Sequence, residues 1–277
     1  MKLSKGLIIS TIAMVISILI LGYFFRDYMI HKQNSMIQQR IDNHLENLLD
    51  KIRDRKNIIL TASVLLSYDS DVKKCLRDTK RDECKDHLKE IQTKFDSISF
   101  SKNIKIHVHT SDLKSFFRVW DFENIKNDSL MFFRDSLQMI KENKKELAGI
   151  EIGRFSMLMR GISPILDGDE YLGSIEVISD FDKITKDLKK RDIDFYVLMD
   201  KKYQQISTKV SYLKQNYINK YIVINSVNSE LNIFSEVVFK GTGYKATKNH
   251  YVIYTPIYDI AGEKIGFYVL KILKSKL

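Results

Sequence analysis

Arg118 and Trp120, two positions apart, are the residues of this chain best suited to holding a small molecule. In the extended run Ser115-Phe116-Phe117-Arg118-Val119-Trp120, alternate side chains point to one sheet face, so the two are expected side by side. A guanidinium presents a fork matched to a carboxylate, and an indole a flat stacking wall. Further arginines follow at Arg134, Arg154 and Arg160, with acids at Asp121, Glu151 and Asp180. Burying an arginine without a partner is costly. Two arrangements answer that cost: structural salt bridges to these acids, or convergence on an anionic ligand. The neighbouring tryptophan favours the ligand for Arg118, while for Arg134 and Arg154 the two arrangements stand level. If Arg118 is salt-bridged instead, Glu151 is its expected partner. Arg154 is expected at the end of one strand and Arg160 on the next, both packed beside the strand of Arg118.

His107 and His109 share a strand face at a spacing that can bind a metal, but neither a cysteine nor a third clear ligand lies close in sequence. They read as core or surface histidines, and no metal is expected. No zinc-protease helix motif, nucleophile elbow, P-loop or dinucleotide fingerprint occurs. The chain therefore gives no support to catalysis, and no cofactor is expected. Gly241-Thr242-Gly243 is a lone glycine pair and reads as a turn.

The elements that must carry these residues begin with a membrane segment. Residues 6–25, GLIISTIAMVISILILGYFF, hold no charge and at ~1.5 Å per residue are long enough to cross a ~30 Å hydrocarbon layer. Tyr23, Phe24, Phe25 and Arg26 follow instead of a small-residue cleavage site, so the segment reads as an uncleaved anchor. Lys2 and Lys5 on one side, against Arg26, His31 and Lys32 offset by Asp27 on the other, lean toward an N-terminus inside the cytoplasm. Beyond it Ile37, Ile41, Leu45, Leu48, Ile52, Ile59 and Leu66 mark a long amphipathic helix, packed on its own domain or forming a homodimer seam. Cys75 and Cys84 flank a polar turn between two helices. In an oxidising compartment they are expected to be bridged, and otherwise to be free thiols.

From about residue 103 the periodicity becomes that of strands. Ile104 to His109 and Ser115 to Trp120 form a hairpin around Thr110-Ser111-Asp112, and a helix follows from about Ser129 to Lys145 with Leu130, Phe133, Leu137 and Ile140 on one face. The chain has only 2 prolines, and they mark a repeat: Ser163-Pro164-Ile165-Leu166-Asp167 with Gly173 downstream, and Thr255-Pro256-Ile257-Tyr258-Asp259 with Gly266 downstream. Two copies of one antiparallel module explain this pattern.

Composition sets the outer limits. A chain of 277 residues, 44% hydrophobic and 11% aromatic, buries a real core and is not a disordered tail. The net charge of +10 is dispersed: Lys189-Lys190-Arg191 and Lys201-Lys202 are interrupted by acids and lack interleaved aromatics. They read as solvated faces, or as a surface drawn to an anionic membrane, and no nucleic-acid partner is expected.

With its anchor, long emergent helix and two modules, the chain resembles the double Cache sensory domains of bacterial chemoreceptors and sensor kinases. The stretch His107-Val108-His109, Ser115 to Trp120, Phe133-Arg134, Gly149 to Arg154 and Arg160 to Pro164 is close to the third double Cache type. The resemblance covers about residues 30–275 and is strongest over 104–181. It implies an α+β fold with two PAS-like sheets of about five strands. The expected layout is an anchor over 1–25, a helical stalk over 26–100, a membrane-distal module over 101–188 and a proximal one over 189–277. It also implies a ligand site in the distal module drawn from Arg118, Trp120, Phe133, Arg134, Glu151, Arg154, Arg160 and Asp180, for a small molecule such as a carboxylate or amino acid. Amino-acid-binding relatives follow an Arg-x-Trp with Tyr, where this chain has Asp121. Such receptors continue into a second span and an output domain, whereas this sequence stops at Leu277; a truncated receptor, or an anchored sensor with a separate signalling partner, is expected. The competing class is an envelope adaptor with a vestigial pocket.

Overall fold

The computed structural model describes residues 5–98, 103–122, 127–210, 216–226 and 231–276. One helix, α1 (Lys5–Ser67), carries both the apolar segment and the amphipathic stalk without a break. From Met14 to Phe25 the residues are exposed, with Leu19 and Leu21 each 68% accessible. Among the described residues this is the one helix long and apolar enough to cross a membrane. The chain divides into two compact units, residues 1–46 and residues 47–276, and both sheets belong to the second.

After α1 come α2 (Ser70–Asp78) and α3 (Arg81–Ser97). Asp69 caps α2 by accepting from the backbone N–H groups of Asp71 and Val72, the usual remedy for orphan donors at a helix start. Cys75 and Cys84 are fully buried and joined by a disulfide, with Cα atoms 6.0 Å apart.

The first sheet contains β1 (Ile104–Thr110), β2 (Ser115–Arg118), β3 (Leu147–Ile152), β4 (Met157–Asp167) and β5 (Glu170–Ser179), in the order β2-β1-β5-β4-β3. All its pairings are antiparallel. A helix, α4 (Asp135–Asn143), joins β2 to β3, shorter than the expected 129–145. Its early residues are used elsewhere: Leu130 N–H donates to the Leu113 carbonyl, and Ser129 bridges to Lys114. The last part of α1, residues 47–67, lies on one face of this sheet, where Arg55 Nε donates to Ser179 Oγ at 2.7 Å and Ser63 Oγ meets Ser163 Oγ at 2.9 Å.

After α5 (Asp182–Lys189), the second sheet contains β6 (Asp194–Asp200), β7 (Asn216–Ile218), β8 (Tyr221–Val223), β9 (Gly243–Ala246), β10 (His250–Tyr258) and β11 (Lys264–Leu273), in the order β7-β8-β6-β11-β10-β9. It has six strands against the five of the first, because the short β7–β8 hairpin and β9 extend its two edges. Its core is aromatic, with Tyr196, Phe234 and Phe267 fully buried.

The proline repeat has a structural meaning. Pro164 lies in β4 and Pro256 in β10, and each strand turns back into the central strand of its sheet, β5 or β11. Ile165 pairs with Gly173 and Ile257 with Gly266, and in both copies the register slips just beyond that pair. A Cβ on either glycine would collide with a backbone carbonyl of the next strand, that of His109 or of Leu198. Both positions therefore require glycine.

Candidate functional site: a buried ion network and its cavity

The face of the first sheet turned away from α1 carries charge where a core would ordinarily be apolar. Pairing places Arg118 opposite His107, His107 opposite Glu176, and His109 opposite Ser174. Ile162 faces Glu176 on the other side, and Arg160 sits two pairs along on the same face, between Ile178 and Gly149. Glu151 projects from the far edge strand. Arg134, at the N-cap of α4, reaches back over this row.

Glu176 is the centre of the network and is wholly inaccessible. One of its oxygens accepts from Arg134 Nη2 and, at 2.9 Å, from Arg160 Nη1. Its other oxygen faces His107 Nδ1 at 3.3 Å and His109 Nε2 at 3.6 Å. Glu151 takes Arg134 Nε at 2.5 Å, and also accepts from the Ser136 hydroxyl at 2.7 Å and the Ser136 N–H at 3.1 Å. It thus serves as both counter-ion and helix cap. Two arginines against two glutamates leave this inner set neutral, as burial demands.

The pKa directions follow. Burial alone would raise Glu176, but Arg134 and Arg160 outweigh it and hold the carboxyl well below its ordinary 4.5. Burial opposes the charge on Arg134 as well; Glu151 and Glu176 overcome it, and its pKa is raised. Arg160 is lowered, by burial and then by Arg134. Burial lowers both histidines, His107 strongly because His109 adds to it, so each is neutral at physiological pH.

Beside the network is a small cavity of about 40 Å³ lined by His107, Arg118, Trp120, Phe133, Arg154 and Arg160, among others. Arg118 donates to both oxygens of Asp128 at 3.2 Å, and Arg154 Nη1 reaches the same carboxylate at 2.7 Å. Two guanidinium groups therefore share one carboxylate. Aromatic rings back them: Arg118 lies over Phe155 at 5.8 Å, Arg154 over Phe133 at 5.4 Å and Lys105 over Trp120 at 5.4 Å. Arg160 Nε is buried without a hydrogen bond.

Several expectations need correction. Trp120 is not on the strand of Arg118: β2 ends at Arg118, and Val119–Asp121 form a 3-10 turn. An Arg-x-Trp alternation fits a strand or a turn equally, and only the loss of pairing to β1 beyond Arg118 decides between them. The ring still faces the cavity, 6.0 Å from both His107 and Phe155. Arg154 lies in a bend after β3, not at a strand end. The strand of Arg160 does not adjoin that of Arg118, because β1 and β5 lie between. For the same reason Glu151, on the opposite edge, is not the partner of Arg118; Asp128 is. Asp180 stands apart from this cavity. It lines a larger cleft of about 570 Å³ with Asn103, Lys105, Asp182 and Asn225, where burial, then Asp182, raises its pKa.

Sequence reasoning missed Glu176, Asp128 and Ser136. For Glu176 a signal existed: a single acid inside the apolar strand Tyr171-Leu172-Gly173-Ser174-Ile175-Glu176-Val177-Ile178. A strand buried on both faces tolerates such a residue only with partners.

An α+β chain with a long N-terminal helix, two antiparallel sheets and a charged, aromatic-walled cavity on the first has the architecture of a sensory domain. The family model for the double sensory domain of two-component sensor kinases, the third double Cache type, matches residues 34–274, and the chain belongs to that family. Among solved structures it is similar to the domain of a sensory box/GGDEF family protein from Vibrio parahaemolyticus, at 15% identity and a TM-score of 0.52, covering 84% of this chain and 94% of that one. The extracellular domain of the histidine kinase vpHK1S-Z8 follows at 15% identity and 0.49, covering 87% and 93%. The sensor domain of the Vibrio cholerae histidine kinase DctB is 12% identical at 0.48, covering 84% and 97%. No curated protein matches the chain.

Proposed function

We propose that this chain is an extracytoplasmic sensor, anchored by residues 7–25 with the module of the first sheet distal to the membrane, that binds a small anionic molecule in the cavity of that module and catalyses no reaction. The observation that carries this reading is the sharing of Asp128 by Arg118 and Arg154 against an aromatic wall. The Asp128 carboxylate stands where the carboxylate of a ligand would be held, and a ligand that displaces it inherits both guanidinium groups. Phe133 and Trp120 form walls, while Arg134, Glu151 and Arg160 keep the floor rigid. Asp180 has no part in this site.

The test is a thermal-shift and calorimetric screen of the detergent-solubilised chain with carboxylates and amino acids, since a ligand that binds only the folded state raises the melting temperature. Arg118→Lys keeps the charge and loses the fork. Losing one charge-assisted contact worth ~1.5–3 kcal/mol weakens binding roughly 10- to 100-fold. Unchanged affinity in folded Arg118→Lys, or a ligand located on the second sheet, refutes the placement. The small cavity volume favours a second reading, an envelope adaptor whose pocket is closed by Asp128, and that reading requires that no compound in the screen shift the melting temperature.

A further inference from the structure

The two histidines and Glu176 are brought together by strand pairing into a set that the sequence spacing alone left one ligand short. His107 Nδ1 and His109 Nε2 lie 3.0 Å apart, and Glu176 Oε2 is 3.3 Å from the first and 3.6 Å from the second. A tetrahedral zinc ion with ~2.0–2.1 Å bonds to nitrogen and oxygen separates its ligand atoms by about 3.3 Å along each edge. The three observed separations bracket that value.

The outer contacts are those of a metal site as well. His107 Nε2 meets Ser115 Oγ at 2.8 Å and His109 Nδ1 meets Ser174 Oγ at 2.9 Å. When each imidazole donates its outer N–H to a serine, both inner nitrogens present lone pairs toward the Glu176 oxygen. That is the orientation outer partners impose on metal-bound histidines. The second oxygen of Glu176 is held by Arg134 and Arg160, as ligating carboxylates are commonly held from behind, and Arg134 Nη1 also reaches the ligating oxygen at 3.5 Å.

We infer that His107, His109 and Glu176 form a binding site for a divalent transition metal of the zinc class, joining β1 to β5 beneath the cavity. Two imidazoles and one carboxylate suit Zn²⁺, Co²⁺ or Ni²⁺ and discriminate against Mg²⁺ and Ca²⁺, which require more oxygen. Arg134 and Arg160 are balanced by Glu151 and Glu176, while Arg118 and Arg154 share Asp128 alone and leave one positive charge close by. An anion or hydroxide on its remaining position offsets part of the added charge. His107 lines the cavity, which gives the ion a route in.

The full-length chain, purified in detergent, stripped with a chelator and dialysed against Zn²⁺ or Co²⁺, supplies the test. Elemental analysis is expected to find one Zn²⁺ per chain, with visible ligand-field absorption for Co²⁺ and an increase in melting temperature with Zn²⁺ but not Mg²⁺. His109→Gln abolishes the stoichiometric metal, and Arg118→Ala retains it. A second group, Asp69, Asp71 and His87, also lies within ligating distance near the start of α2, so His87→Ala serves as a control and retains the metal. Loss of metal in His87→Ala, retention in folded His109→Gln, or no Zn²⁺-dependent melting shift in the wild-type chain overturns the assignment. The melting shift decides the matter even where His109→Gln fails to fold.

Discussion

Glu176→Gln tests the buried network most directly. The substitution keeps volume and shape but removes the charge that neutralises Arg134 and Arg160, each of which is almost wholly buried. Glu151 alone then faces two cations, and water cannot reach them. Removing one partner of a buried ion pair costs about 3–5 kcal/mol, mostly the penalty of the charge left behind. A domain of this size loses ~2–4 °C in melting temperature per kcal/mol, so a drop of roughly 6–20 °C is expected. Arg160→Met on the Glu176→Gln background removes the uncompensated cation and recovers part of the loss. The assay is thermal or denaturant unfolding of both variants beside wild type. A loss below about 1 kcal/mol for Glu176→Gln, or no recovery in the double variant, means that the network is solvated or rearranged and that the charge argument fails. The same groups set the acid response. Both histidines are held below 6.5 and Glu176 well below 4.5, so in each case the unfolded chain takes the proton more readily. Stability is therefore full above pH 6.5, declines as pH falls through the histidine range, and declines again below 4.5 as Glu176 approaches its depressed native pKa. Stability that is flat from pH 7 to 5 contradicts the histidine part.

Three further outcomes are expected. Gly161→Ala sets a Cβ 2.5–2.6 Å from backbone atoms of Ile59 and Leu60, where no flexible side chain can yield; overpacking of ~1–3 kcal/mol is expected, and a neutral result in unfolding would show that the helix moves off the sheet freely. Cys75→Ser opens a bridge of sequence separation 9 and lowers stability by ~2–3 kcal/mol, and thiol labelling of the native wild-type chain stays low until a reductant is added. An alkaline phosphatase fused after Leu277 is active outside the cytoplasm; activity from a cytoplasmic reporter alone would refute the orientation.

Local pattern was enough to read the apolar span, the stalk stripe, the hairpin at Ile104–Arg118 and the duplicated proline turns, because each is written in neighbouring residues at the period of a helix or a strand. The resemblance to double Cache domains rested on the same short runs. The arginines of the candidate site were also visible, since a charged residue within an apolar strand stands out. Their partners were not. Glu176 meets His107 across 69 positions of chain, and Arg118 meets Asp128 instead of Glu151, because the order β2-β1-β5-β4-β3 sends the strands of Arg118 and Glu151 to opposite edges. Spacing along the chain determines which side chains share a face. Strand order alone decides which of them meet across it, and it follows from burying the apolar face as a whole. Counter-ion choice, the convergence of two histidines and a glutamate, and the separation of Asp180 from the cavity are therefore properties of the tertiary structure.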